Sequence, residues 1–405
     1  MSIPEDCSPE RYRFETQAIR TQLPQTAYRE HSAPLFLTSS FTFEDAEQGR
    51  AIFAEEVEAY SYSRFNNPNQ QELVDKICQM EGAEAGYAFA TGMAAVYCCF
   101  AALFQPDDHL LSCSGIFGST LSLLYKTFPE RNIKTSFFHF TATEEDIEKL
   151  IRPNTRAIFL ESPTNPCVDL LDLELLNRVA KKHGLLFIVD NTFSTPYLQT
   201  PISWGADVVL HSATKLLDGQ GRVCGGVAVG KKRYIDPIYL FARTIGTSIS
   251  PFHAWILSKS LETLHVRIDR HCENAYKIAQ FLEQHPAIDF VKYPGLKSHP
   301  QYPLAQKYLK QGGNVLAFSV KGGLEEAQRF LNAVRLISMS ANVGDSRSIL
   351  THPASTTHCR LSEVDRLENG ITDQLIRFSV GLEHVDDLIA DLDQALTQIN
   401  PLLPK

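Results

Sequence analysis

Val208-Val209-Leu210-His211-Ser212-Ala213-Thr214-Lys215-Leu216-Leu217-Asp218-Gly219-Gln220-Gly221-Arg222 changes character partway along. Its apolar, largely β-branched start reads as a buried strand, and the small hydroxyl residues that follow read as a turn. The turn presents one lysine, Lys215. A lysine amine attacks an aldehyde only when burial or a neighbouring cation keeps it unprotonated. Upstream, Asp190 closes a second apolar run, 185–189, so a carboxylate and an amine stand at the ends of two strands.

Outward from this stretch, helix and strand patterns alternate. Residues 70–81 are patterned as an amphipathic helix and 85–89 as a short strand, after which Thr91-Gly92-Met93-Ala94 opens a helix running to 104. Strands are expected over 109–113, 135–140 and 156–160, and helices over 119–128 and 173–183, the last closed by Gly184. Thr143 caps a helix whose first turn, Glu144-Glu145-Asp146, carries the acids that a helix dipole favours. This spacing predicts an α/β protein with a mostly parallel sheet covered by helices on both faces, and 225–230 as an antiparallel addition. In such sheets ligands sit beyond the carboxyl ends of the strands. That rule gathers Gly92, Met93, Phe117, Asn165, Asp190, Ser212 and Lys215 at one edge.

Residues 1–60 are weakly periodic and are expected to form an N-terminal arm of the kind that crosses onto a partner subunit. The arm leads into Tyr60-Ser61-Tyr62-Ser63-Arg64-Phe65-Asn66-Asn67-Pro68, where extended backbone would point Tyr62 and Arg64 the same way, a phenol and a guanidinium fork suited to phosphate oxygens. Residues 61–251 form the expected large domain, ending in a loop over 243–251. A long helix over 252–284 then links to a smaller α+β domain, 252–405, with strands over 314–321, 335–341 and 374–382 and helices over 324–334 and 385–399.

A chain of 405 residues exceeds what one core holds, and 44% of it is apolar. A net charge of −9 with no long basic run argues against nucleic acid or an anionic membrane surface as the main partner and leaves a small molecule. Nine cysteines, at 7, 78, 98, 99, 113, 167, 224, 272 and 359, form no Cys-x-x-Cys pair and lie mostly in apolar stretches, as free thiols do. No metal site is expected. The first fifteen residues are charged, and the longest apolar run, 94–104, is about half of a membrane span, so a cytoplasmic protein is expected.

If the aldehyde is pyridoxal phosphate, it needs a lysine to bond, a carboxylate to keep its ring nitrogen protonated, and donors for its phosphate. Lys215 and Asp190 meet the first two needs, and a carboxylate beside a pyridinium stays ionised. Ser212 and Thr214 flank the lysine and join Gly92 and Met93, at a helix N-terminus, as phosphate donors. Phe117, in Gly115-Ile116-Phe117-Gly118, would stack on the ring. Asn165 would donate to the ring hydroxyl.

Taken in order, Tyr62-Ser63-Arg64, Thr91-Gly92-Met93, Glu161-Ser162-Pro163-Thr164-Asn165-Pro166, Asp190-Asn191-Thr192 and Ser212-Ala213-Thr214-Lys215, with Gly225-Gly226 downstream, resemble the cysteine and methionine metabolism family of pyridoxal-phosphate enzymes. The resemblance continues through Tyr293-Pro294-Gly295-Leu296, Thr351-His352-Pro353-Ala354-Ser355 and Leu375-Ile376-Arg377-Phe378-Ser379-Val380-Gly381-Leu382-Glu383, and covers roughly residues 15–400. It implies the aspartate-aminotransferase-like fold, fold type I. It also implies a homotetramer built from dimers with shared active sites, in which Tyr62 and Arg64 reach the phosphate of the neighbouring subunit. Arg377, by the same resemblance, grips the carboxylate of an amino-acid substrate, with Ser348 and Asn165 beside it. A bidentate guanidinium suits that task because it sets both place and orientation.

Two departures narrow the resemblance. Many members carry tyrosine where this chain has Phe117; stacking survives the change, and a proton shuttle through the phenol does not. Most follow the lysine with a Gly-His-Ser-Asp-like segment, whereas this chain has Asp218-Gly219-Gln220-Gly221-Arg222. That form, Phe117 and Asn342-Val343-Gly344-Asp345 are similar to the O-succinylhomoserine sulfhydrylase branch. The branch implies a transferase of methionine biosynthesis, replacing the succinyl group of O-succinylhomoserine by sulfide to give homocysteine and succinate, with Lys215 moving the α and β protons. Cystathionine γ-synthase, O-acetylhomoserine sulfhydrylase and the cystathionine or methionine γ-lyases share every motif quoted and stand as alternatives.

Overall fold

Ile158, Phe159, Phe187, Ile188, Val208 and Val209 are all almost completely buried, which sets the runs around them in the middle of a sheet covered on both faces. The computed structural model describes residues 12–399, so Cys7 and the start of the arm lie outside the described residues. The strands β1 (Ala85–Phe89), β2 (His109–Cys113), β3 (Lys134–Phe138), β4 (Thr155–Glu161), β5 (Leu186–Asp190), β6 (Val208–His211) and β7 (Gly226–Gly230) form one sheet in the order β1-β7-β6-β5-β4-β2-β3. From β2 to β6 the neighbours run parallel, and β7 is antiparallel to both β1 and β6. The carboxyl ends of β1, β2, β4, β5 and β6 therefore share one rim.

A second sheet contains β8 (Ile288–Lys292), β9 (Val315–Val320), β10 (Ser338–Met339), β11 (Ile349–Thr351) and β12 (Leu375–Ser379), in the order β10-β11-β12-β9-β8. It has its own core, in which Phe318, Phe330, Ile376, Phe378, Leu388 and Leu392 pack apart from the first. Burying each such side chain contributes roughly 1.5–3 kcal/mol. No helix among the described residues is long and apolar enough to cross a membrane.

Local signals set many of the boundaries. Asn67 accepts the N–H of Asn69 and Pro68 occupies the first turn, so a helix runs Pro68–Glu81. Thr143 and Asp146 exchange bonds in a capping box at the head of Glu144–Lys149.

Other expectations change. Residues 62–65 form a turn, with the Phe65 N–H on the Tyr62 carbonyl at 2.8 Å, because the chain reverses there to enter the helix that Asn67 caps. The helix expected over 252–284 is two, Pro251–Leu261 and Leu264–Gln284. The first packs on Pro68–Glu81, where Lys76 donates to the Ser258 carbonyl at 3.2 Å, and the second leads to the other sheet. Two packing partners in different directions require the break. Lys232–Ile245 is helical despite Pro237 within it, and residues 335–341 form strand only at Ser338–Met339.

Candidate active site

Lys215 sits in the turn after β6, its N–H on the Ser212 carbonyl at 3.2 Å and its own carbonyl taken by the Gly219 N–H at 2.8 Å. The residues after it brace that turn. Buried Asp218 accepts both the Arg222 guanidinium and the Arg222 N–H at 2.8 Å, and Arg267 donates to the Leu216 carbonyl at 2.8 Å. The Lys215 amine donates to Asn342 Oδ1 at 2.6 Å. Burial first, and the Arg377 charge second, hold its pKa below the ordinary lysine value, with Cys224 opposing. The neutral amine, the form that attacks an aldehyde or accepts a proton, is thereby favoured.

Asp190 ends β5 directly opposite Glu161 on β4. Its Oδ1 accepts the Thr192 N–H at 2.9 Å, and the residue as a whole is half-buried at the strand end. Burial raises its pKa, while Thr192 and His211 pull it down. His211 is itself held by buried Glu81 at 2.8 Å. Glu161 accepts the Phe117 N–H at 2.8 Å, and its pKa rises well above the usual range because it is buried beside Asp190, against the pull of the Phe117 N–H and Arg377. Two carboxyls buried side by side resist carrying two charges at once, and Asp190 forms no ion pair with a lysine or arginine among the described residues. A protonated ring nitrogen is the cation such a group takes.

On the same rim, Thr91 caps the helix Gly92–Leu103 by accepting the Ala94 N–H at 3.0 Å. The N–H groups of Gly92 and Met93 lie in the first turn, where no helix carbonyl accepts them. A Cβ on Gly92 would lie 2.6 Å from Ser212 Cβ, and one on Gly226 only 2.2 Å from the Thr91 carbonyl, so these glycines let three backbone segments converge. Ser212 gives its N–H to Thr192 Oγ1 at 2.8 Å, and its hydroxyl lies beside the helix N-terminus, 2.8 Å from where a Cβ on Gly92 would stand. Thr214 instead donates its hydroxyl to the Gly225 carbonyl at 3.2 Å and receives the Gly225 N–H at 3.0 Å, so it supports the wall of the nest. Phe117, 36% exposed at the head of Gly118–Ser122, offers an open ring face.

Arg377 on β12 joins the two sheets. Nη1 donates to Asn165 Oδ1 at 3.0 Å, and Nη2 to the Asn342 carbonyl at 2.9 Å and Thr351 Oγ1 at 3.2 Å. Its Nε is buried without a partner, and burial pulls its pKa down to about 10, with Glu161 opposing. A buried guanidinium with one N–H unmet is placed to take a carboxylate. Ser348 is outside this contact set. Its hydroxyl donates to Glu383 at 2.9 Å and receives the Gly381 N–H at 2.9 Å. The β11–β12 register pairs Thr351 with Arg377, which makes Thr351 the hydroxyl on the guanidinium. Tyr62 and Arg64 also lie elsewhere within this chain: the Arg64 guanidinium donates to the Arg243 carbonyl and rests over the Tyr62 and Phe65 rings, 5.4 and 4.8 Å from their centroids.

The cradle that a Cβ would fill, the uncompensated carboxylate, the open phenyl face and the lysine of lowered pKa together fit pyridoxal phosphate. Asn342, Glu161 and Thr351 belong to the site although sequence pattern gives them no role there; all three stand inside quoted motifs, and only that proximity signals them.

The family model described as Cys/Met metabolism PLP-dependent enzyme matches residues 15–397. O-succinylhomoserine sulfhydrylase of Pseudomonas aeruginosa is 43% identical over 95% of this chain and 96% of its own length. L-methionine gamma-lyase of Treponema denticola is 38% identical over 96% of this chain and 98% of its own. Among solved structures, a Campylobacter jejuni protein named for O-acetylhomoserine (thiol)-lyase superposes with a TM-score of 0.92 at 35% identity, over 95% of this chain and 100% of that one, and carries a pyridoxyl-lysine monophosphate.

Proposed function

We propose that this chain, which belongs to the family of Cys/Met metabolism PLP-dependent enzymes, is a transferase that converts O-succinylhomoserine and sulfide to homocysteine and succinate. The bond from Cγ to the succinyl oxygen breaks, succinate leaves with the electron pair, and hydrosulfide forms the new bond to Cγ, so atoms and charge balance. When bound, the cofactor supplies an aldehyde for the substrate amine and a ring that accepts the electrons released at Cα. Lys215 takes the protons from Cα and then Cβ and returns them. Asp190 holds a proton on the ring nitrogen, Phe117 lies on the ring face, and Arg377 fixes the substrate carboxylate through the N–H that no protein group uses.

The observation that carries this reading is Phe117. Elimination has to protonate its intermediate and let it go, whereas replacement needs it to wait for a nucleophile, and a phenyl at this position delivers no proton. The Pseudomonas aeruginosa relative supports the succinyl ester; the methionine gamma-lyase makes elimination the competitor to measure. Steady-state rates with succinyl and acetyl esters against sulfide and cysteine test the proposal. Homocysteine is expected as the main product, with 2-oxobutanoate forming slowly when sulfide is omitted, and Phe117→Tyr should raise the elimination share. Release of 2-oxobutanoate at a rate comparable to homocysteine under saturating sulfide replaces this reading with a γ-lyase.

The assembly we propose is a homotetramer built from dimers, with Tyr62 and Arg64 serving the neighbouring subunit's phosphate. Tyr28 and Leu37, 93% and 71% exposed on the arm, are apolar surface that a second copy would cover. The eight described cysteines are free, which supports a reducing, cytoplasmic setting.

A further inference from the structure

Among the described residues the Lys215 amine has one hydrogen-bond partner, Asn342 Oδ1, at 2.6 Å. Nothing in the proposed reaction yet uses that amide. Its position is set from several sides. The Asn342 carbonyl accepts Arg377 Nη2 at 2.9 Å, and its N–H reaches Ser340 Oγ at 3.3 Å. Two residues on, Gly344 has a φ of +75°, and a Cβ there would stand 2.7 Å from the Leu216 N, so the loop lies flat on the turn that carries the lysine. The Gly344 N–H is fixed in turn on Ser379 Oγ at 2.9 Å. Backbone anchors on both sides aim the side chain at the amine.

We propose that Asn342 is a positioning residue that holds the Lys215 amine whenever it is free of the cofactor, and that Arg377, by gripping the same residue's carbonyl, ties the place of the amine to the carboxylate site. An amide oxygen accepts an N–H from the amine in either protonation state, so it orients the base without adding the charge that would keep it protonated. With phenylalanine at 117, that position offers no phenol to share this task. The inference rests on the reading of Lys215 as the cofactor lysine and as the base.

The charged and titratable groups acting on the amine are Arg377 from β12 and Cys224 from the segment before β7, and both are unchanged by substitution at 342. Asn342→Asp places a carboxylate on the amine with little change of shape, and Asn342→Ala removes the acceptor. In the full chain freed of cofactor, acetylation of Lys215 by acetic anhydride, read by peptide mass against pH, reports the proton affinity of the amine whether or not the ring ever binds. In the holoenzyme, exchange of the α proton of L-alanine in D2O reports the base. Asn342→Asp should raise the acetylation midpoint by about one pH unit or more. Asn342→Ala should slow exchange on the order of tenfold, the scale of a lost hydrogen bond to a charged group, with circular dichroism unchanged. A midpoint in Asn342→Asp within about 0.3 unit of the wild type, or exchange in Asn342→Ala at the wild-type rate, overturns the proposal. Reductive labelling of a different lysine by the cofactor would refute the reading beneath it while leaving the acetylation midpoint interpretable.

Discussion

Gly92→Ala adds one methyl group at the point where the helix N-terminus meets the lysine turn. Its Cβ would stand 2.6 Å from Ser212 Cβ and 2.8 Å from Ser212 Oγ, so the two segments must separate by about 0.8 Å to reach ordinary contact at 3.4 Å. Overpacking of this kind costs about 1–3 kcal/mol. The separation also draws the Gly92 and Met93 N–H groups away from the Ser212 hydroxyl, so a phosphate can meet both only if the native spacing is restored at that same cost. Cofactor affinity should therefore fall by about 5–150-fold, since each 1.4 kcal/mol is roughly tenfold. Titrating the cofactor-free chain with pyridoxal phosphate by absorbance measures this, alongside melting, which should drop by roughly 1–4 °C. In the pair Gly92→Ala with Ser212→Gly, the nearest Ser212 atom left is Cα at 2.9 Å. Melting should then recover in part while affinity does not, because the hydroxyl is gone. Affinity within about twofold of the wild type in the single variant would refute the cradle and the phosphate placement built on it.

Borohydride reduction of the holoenzyme followed by peptide mapping should label Lys215, and Lys215→Ala should lose nearly all turnover; a label elsewhere removes the assignment. Arg377→Met deletes a charge that lowers the Lys215 pKa, so the Lys215 acetylation midpoint should move up. The neutral amine is the reactive form, and reactivity rises as pH passes through that pKa. The same change should raise KM for the amino-acid substrate by about 10–150-fold, the range for a lost charge-assisted hydrogen bond, and an unchanged KM would place the carboxylate elsewhere. Mixing inactive Arg64→Ala with inactive Lys215→Ala subunits should restore part of the activity, because one hybrid site keeps both residues. Proven hybrids without recovery would put Arg64 to work within its own subunit.

Much of the scaffold was legible because its causes are local. Thr143 and Gly184 begin and end helices through bonds to neighbours a few residues away, and the apolar runs at β4, β5 and β6 announce strands buried on both faces. Lys215 and Asp190 stood out for the same reason, each closing such a run. The helix break at 262–263 and the turn at 62–65 were not legible, since each answers to where the chain must go next.

The linear order of residues alone therefore determined the α/β alternation, the single rim of strand ends and the placing of Lys215 and Asp190 along it. What the tertiary structure decided is which distant groups meet there. Asn342 reaches Lys215 across 127 positions and Arg377 reaches Asn165 across 212. Glu161 takes the Phe117 N–H from the loop that follows the adjoining strand, and Thr351 rather than Ser348 meets the guanidinium because of strand register. The physical reason is that a hydrogen bond of about 3 Å is fixed by the packing of two sheets and the register within them, and no pattern in a few neighbouring residues encodes either.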